Sequence, residues 1–172
     1  MAGGADDVAV SLLRGAVRAS IDACVYLPDS CLTPVIRAFQ GNTGISMIPC
    51  AREDEGVAIA VGLNLGGRTA ICMMEASGIG YSALILARAQ AQRTPVIIVA
   101  SHTAGAGEPY DYHGATVLLA EGVFTGLNIP YEIATETGAL DLLLHRIVQT
   151  ARGQRTSFGL LIPPFMTSGP PA

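Results

Sequence analysis

The chain has 172 residues, half of them hydrophobic, with a net charge of −4; this is enough for one domain that buries roughly two thirds of its unfolded surface. All ten basic residues are arginines dispersed along the sequence, which excludes the clustered cations of a nucleic-acid footprint, Schiff-base lysine chemistry and a P-loop. No apolar run approaches the roughly 20 residues of a membrane helix, and the acidic N-terminus has no basic signal-peptide region, so a cytoplasmic protein without a membrane partner is expected.

In chain order the pattern alternates. Residues 8–20 place Val8, Leu12, Leu13, Ala16 and Val17 at helical spacing. A short apolar run, 23–27, stops at the turn Pro28-Asp29-Ser30. A helix over 32–39 tolerates Pro34 in its first turn. Residues 44–49 form a short strand, and a helix over 53–65 begins on the acidic block Arg52-Glu53-Asp54-Glu55-Gly56. Residues 69–74 are a strand apolar on both faces that ends at Ser77-Gly78-Ile79-Gly80, read as a tight turn. A helix over 81–92 follows, then 95–100, a continuous β-branched run of the kind found in parallel sheets covered on both sides. A glycine-containing loop spans 101–114, and a helical stretch runs to about 127. A strand over 131–134, a helix over 138–152 and a strand over 158–162 complete the pattern, with 165–172 as a frayed tail.

Six strands separated by helices predict a doubly wound α/β fold, a mainly parallel six-stranded sheet with helices on both faces. One domain over 1–172, with its core over about 8–164, accounts for the whole pattern. In such sheets ligands bind beyond the carboxyl ends of the strands. The unusual residues cluster there: Asp29 and Ser30, the acidic block, Glu75 to Gly80, and the loop that holds His113. Three carboxylates at a helix start are also what the helix dipole favours, so the acidic block is by itself ambiguous. Cys24, Cys31, Cys50 and Cys72 lack C-x-x-C spacing and read as small core hydrophobes, with no metal site. His102 and His145 read as structural or surface residues. A mean hydropathy of +0.44 is high for a monomer and implies apolar surface covered by a partner.

The order of motifs resembles the pyrimidine-binding (Pyr) domain of thiamine diphosphate enzymes, in particular the separate alpha subunits of the sulfopyruvate and phosphonopyruvate decarboxylase type. The resemblance runs over about 8–164, and its most specific part is Arg52-Glu53-x-Glu55-Gly56-x-Ala58-x-Ala60-x-Gly62. It implies that Glu53, nine residues before Gly62, is the catalytic carboxyl that hydrogen-bonds N1′ of the cofactor's aminopyrimidine, leaving Asp54 and Glu55 to the dipole or to a subunit interface. It further implies cofactor contacts at Gly78 and Gly80, substrate contacts at Asp29, Ser30 and His113, and a proton-transfer role for His113. The activity implied is decarboxylation of a 2-oxo acid to an aldehyde and CO2. Carboligation by the same cofactor, or a regulatory or assembly role, are the alternatives.

Enzymes of this type hold Mg²⁺ and the diphosphate through Gly-Asp-Gly and a later Asn, and this sequence has no Gly-Asp-Gly. The resemblance therefore implies a beta subunit that binds the metal and shares the thiamine diphosphate, in an assembly of two alpha and two beta chains or larger. Two positions depart from the alpha-subunit pattern: Glu75-Ala76 stands where amides precede the Ser-Gly-x-Gly segment, and Tyr81 where Asn follows it. A carboxylate at Glu75 would repel a phosphonate or sulfonate.

Overall fold

The structure is a computed structural model and describes residues 4–102 and 111–167. Six strands form one sheet: β1 (Ala23–Tyr26), β2 (Ser46–Pro49), β3 (Ala70–Glu75), β4 (Ile97–Ser101), β5 (Tyr131–Ile133) and β6 (Phe158–Ile162). Their order is β2-β1-β3-β4-β6-β5, and every pair is parallel, so the sheet is wholly rather than mainly parallel. Among the described residues, seven α-helices connect or flank them: α1 (Ala5–Arg18), α2 (Thr33–Gln40), α3 (Glu53–Leu65), α4 (Gly78–Ala91), α5 (Asp111–Gly126), α6 (Leu140–Gln154) and the short α7 (Pro164–Thr167).

The central strands are buried on both faces, which is why their sequences read as continuous apolar runs rather than alternating ones. Successive side chains point to opposite layers. Ile71, Met73, Val99 and Leu160 pack under α1, α2 and α6, with Val8, Leu12, Phe39 and Leu144. Cys72, Met74, Ile98 and Leu161 pack under α3, α4 and α5, with Val57, Ile79, Leu86 and Phe124.

Three sequence expectations are corrected. Ser77-Gly78-Ile79-Gly80 is not a tight turn: α4 begins at Gly78, and neither glycine has positive φ. The loop expected over 101–114 ends early, because α5 begins at Asp111; positions 103–110 lie outside the described residues. Of the tail expected to fray over 165–172, residues 165–167 instead belong to a final helical turn whose Met166 is 3% exposed and packs into the first core; 168–172 lie outside the described residues.

Within one layer, α1 and α6 approach to backbone distance. A Cβ on Gly15 of α1 would lie 2.8 Å from the carbonyl oxygen and 3.0 Å from Cα of Asp141 in α6. Alanine there gains up to about 1 kcal/mol of helix propensity, but overpacking against backbone costs about 1–3 kcal/mol. Gly15→Ala is expected to lose about 1–2 kcal/mol of stability, whereas Gly122→Ala, with nothing within 4 Å, gains about 0.5–1 kcal/mol. Urea unfolding of the two variants checks the pair, and equal effects would refute the packing argument.

Candidate functional site

Strands β1 and β3 are neighbours, yet the chain leaves β1 outward to β2 and leaves β3 in the opposite direction to β4. The crevice beyond their carboxyl ends is the topological switch point of the sheet, where ligands of such folds bind. Helices α2, α3, α4 and α5 all begin at this rim, so their free N–H groups and positive dipole ends face it.

Glu53 is the first residue of α3, and it lies across α4. A Cβ built on Gly78 would be 2.1 Å from its Cγ, 2.6 Å from its Cδ and 2.8 Å from its Oε1. Gly78 is therefore required for room, not for an unusual backbone angle. The two neighbouring acids are otherwise engaged. Arg52 donates from Nε and Nη2 to Asp54, both at 3.0 Å, and this guanidinium holds the Asp54 carboxyl below its usual range. Glu55 reaches back to accept the Ala51 N–H at 2.8 Å, a cap on the helix start. Glu53 makes no hydrogen bond or ion pair among the described residues and is half-buried.

Asp29 and Glu75 form the other half of the rim. Asp29 Oδ1 accepts the Leu32 N–H at 2.7 Å and caps the approach to α2, while Ser101 Oγ donates to its Oδ2 at 3.2 Å. Burial pushes the Asp29 carboxyl above its usual range, against those hydrogen bonds, and the charge of Glu75 adds to the shift. Glu75 ends β3 opposite Ser101 in register; its Oε2 accepts from Ser77 Oγ at 2.6 Å, and its Oε1 is buried without a hydrogen-bond partner among the described residues. Ser30 sits exposed on the turn beside Asp29.

His113 lies in the first turn of α5, not in a loop, with the Tyr112 ring edge-on at 4.4 Å. Gly80 spaces α4 from α5, its absent Cβ facing Leu119 at 3.4 Å. Among the described residues no group of three His, Cys, Asp or Glu is placed to hold a metal ion. Burial raises the thiols of Cys24, Cys50 and Cys72; Cys24 and Cys72 are core residues as expected, whereas Cys31 and Cys50 are only half-buried.

One rim residue escaped sequence reasoning as a site feature. His102, just after β4 and 6% exposed, meets Glu121 Oε1 through Nε2 at 3.2 Å, and Glu121 Oε2 accepts from Tyr131 Oη at 2.8 Å. That hydrogen bond to Glu121 raises the Tyr131 phenol. The three residues stand in different elements, so no spacing signals the link. His145 is half-buried on α6, its Nδ1 enclosed without a hydrogen-bond partner among the described residues.

The family described as thiamine pyrophosphate enzyme, N-terminal TPP binding domain, matches residues 6–117. The chain belongs to this family. It is 30% identical over 103 residues to sulfopyruvate decarboxylase subunit alpha of Methanothermobacter thermautotrophicus, covering 59% of this chain and 62% of that protein. It is 28% identical over 93 residues to the corresponding subunit of Methanococcus maripaludis, covering 54% of this chain and 56% of that one. The matched segments thus span less than two thirds of these curated relatives. In fold, the chain superposes on 2-oxoglutarate:ferredoxin oxidoreductase from Magnetococcus marinus with a TM-score of 0.75 at 15% identity, over 94% of this chain and 29% of that one. The shared architecture is the α/β layering with a parallel sheet.

The raised Asp29 carboxyl carries a pH signature. A group whose folded pKa is raised supplies no penalty while protonated and costs stability as the pH rises through that folded value. Asp29→Asn keeps an oxygen for the Leu32 N–H and removes the ionisation. It is expected to raise the melting temperature at pH 7, with the gain shrinking as the pH falls toward the ordinary value of 3.8. A gain independent of pH in a series of thermal melts would reject the assignment.

Proposed function

We propose that the chain is the pyrimidine-binding half of a split thiamine-diphosphate-dependent 2-oxo acid decarboxylase, with Glu53 as the carboxyl that engages the cofactor. The observation that carries this reading is the isolation of Glu53: it is held by packing over Gly78, at the switch-point rim, while Asp54 is paired with Arg52 and Glu55 caps the helix start. A carboxyl positioned without consuming its own oxygens fits a ring nitrogen that arrives from outside the chain. The donor set fits the aminopyrimidine end of the cofactor. It does not fit Mg²⁺, because the described residues offer no cluster of hard ligands and the sequence has no Gly-Asp-Gly.

When bound, thiamine diphosphate supplies the carbon nucleophile and the electron sink that decarboxylation requires. Glu53 would hold a proton at N1′ of the aminopyrimidine. The start of α4 at Gly78 and Gly80 borders the same space. Asp29, Ser30 and His113 are the substrate-facing positions of this reading. The substrate class is a 2-oxo acid of the kind named by the relatives, sulfopyruvate or phosphonopyruvate. A second anionic group on such a substrate meets Asp29 and Glu75 here, and Arg52 is already paired with Asp54, so its cation would come from the partner chain.

That partner is a beta chain bearing the diphosphate and metal site, in an assembly of at least two chains of each kind. The outer surface of α3, α4 and α5 supports it. Tyr81, Leu84 and Leu118 are 73%, 62% and 73% exposed on helices that are apolar all round. Gly62, the glycine of the motif, is exposed with nothing within 4 Å of a built Cβ, so no packing inside this chain calls for its missing side chain. A close-packed partner would.

In the coexpressed complex, Glu53→Gln is expected to lower turnover by about a hundredfold or more, in the range of a lost proton-transfer group, with assembly unchanged. Full turnover by that variant would refute the role. Gly78→Ala is expected to act through Glu53, lowering turnover while circular dichroism remains native. Leu84→Glu combined with Tyr81→Glu is expected to abolish copurification of the beta chain, while the melting temperature of the chain alone moves little, as for surface substitutions of about 0.5 kcal/mol or less. Copurification that survives both charges would place the interface elsewhere.

A further inference from the structure

At the end of the sheet opposite the rim, a cavity of about 440 Å³ opens beside the amino ends of β3 and β4. Four of the ten arginines line it: Arg68 after α3, Arg93 after α4, and Arg152 and Arg155 at the end of α6. None of the four forms an ion pair among the described residues. The partners they do have are neutral. Arg68 Nη2 donates to the Asp22 carbonyl at 2.9 Å and to Ser46 Oγ at 3.0 Å. Arg152 donates to the carbonyls of Ala19 and Ser20, at 3.2 and 3.3 Å, and to Thr69 Oγ1. Arg155 Nε donates to the Arg93 carbonyl at 3.4 Å, and the Arg93 guanidinium makes no hydrogen bond among the described residues.

Helix dipoles account for single cations at these positions but not for the sum. Three helix ends contribute roughly −0.5 each, and the Asp22 carboxylate, which accepts the Thr69 N–H at 2.6 Å, contributes one more negative charge. Against four guanidinium groups the cleft stays positive in a chain that is negative overall. Arg93 and Arg155 also occupy left-handed backbone at φ 53°, where glycine or asparagine is the usual residue of a helix end. Arg68 and Arg152 are held in place by their carbonyl bonds, and each keeps further N–H donors. Leu65 and Pro95 add apolar surface to the same walls.

We propose that this cleft binds a small organic polyphosphate, a molecule with two or more phosphoryl groups on an organic body. Guanidinium forks match phosphoryl oxygens in pairs, and four converging from three segments suit more than one phosphoryl group. The volume is that of a small-molecule site, and the apolar walls receive the organic portion. The site is separate from the rim: the strands between them, about six residues long, span roughly 20 Å. It also touches the far ends of the two helices whose near ends carry Glu53 and Gly78. The inference does not depend on the decarboxylase reading.

The test is titration calorimetry of the full chain, in the assembly in which it purifies, with ADP and ATP as probes and sulfate as competitor. Saturable binding below millimolar concentration is expected, at least tenfold weaker in an Arg93→Gln, Arg155→Gln double variant. Both positions are exposed, so the unliganded variant should melt within a degree or two of the parent. Absence of saturable binding at millimolar nucleotide, binding undiminished in the double variant, or displacement by equimolar sulfate would each overturn the proposal.

Discussion

The close approach of α3 to the sheet and to α4 is the constraint on which the rest of the site depends. A Cβ on Gly56 would lie 2.9 Å from Cys50 Sγ and 3.1 Å from Cys72 Sγ, so α3 rests directly on the end of β2 and the middle of β3. One turn earlier, Glu53 fills the space that a Gly78 side chain would take. Two glycines thus fix the carboxyl by backbone geometry rather than by a hydrogen-bonded neighbour. Such fixing orients a functional group while leaving its oxygens for a ligand. The cost of these glycines in helix propensity, about 1 kcal/mol each, is what the close contact must offset.

The two layers of helices obey different rules, and the difference explains the hydrophobic excess of the chain. On one side α1 and α6 put charge outward beside Val10, Val17 and Leu142, with Arg14 and Arg18 reaching Asp141 at 3.8 and 3.6 Å. On the other side α3, α4 and α5 carry leucine and tyrosine outward as well as inward. An amphipathic helix needs only the sheet, whereas a helix apolar all round needs a second surface. The layer that carries Glu53 is the one that calls for a second surface. On the reading proposed above, the half-buried carboxyl and the exposed apolar face belong to one site shared with a second chain.

Legibility in the sequence followed the locality of the cause. β6 was readable to the residue because a continuous apolar run has one outcome in a doubly covered sheet, and α3 because its start is marked by three acids. The starts of α4 and α5 were misplaced for one reason: Gly78, Gly80 and Gly114 look like breaks, and only the neighbouring helix reveals that two of them provide clearance. The choice of Glu53 over Asp54 and Glu55 came from the resemblance, through the spacing to Gly62; the hydrogen bonds of Asp54 and Glu55 agree with it. Glu75 was legible as a charge but not as half of a pair, since Asp29 lies across the β1–β3 crevice. The contact of His102 with Glu121 crosses nineteen positions and had no local signature.

Dispersed arginines in the sequence become a cluster in the fold because all the strands run the same way. Each helix after a strand begins at the rim and ends below it, so residues that favour helix starts gather at one pole and residues that favour helix ends at the other. Asp29, Glu53, Asp54, Glu55 and Glu75 collect at the rim; Arg68, Arg93, Arg152 and Arg155 collect below. Dipole preference explains the sorting, and capping consumes Asp54 and Glu55 as backbone stapling engages Arg68 and Arg152. It leaves groups without such work at both poles. The Glu53 carboxyl above and the Arg93 guanidinium below make no hydrogen bond among the described residues, and on the readings proposed each awaits chemistry that comes from outside the chain.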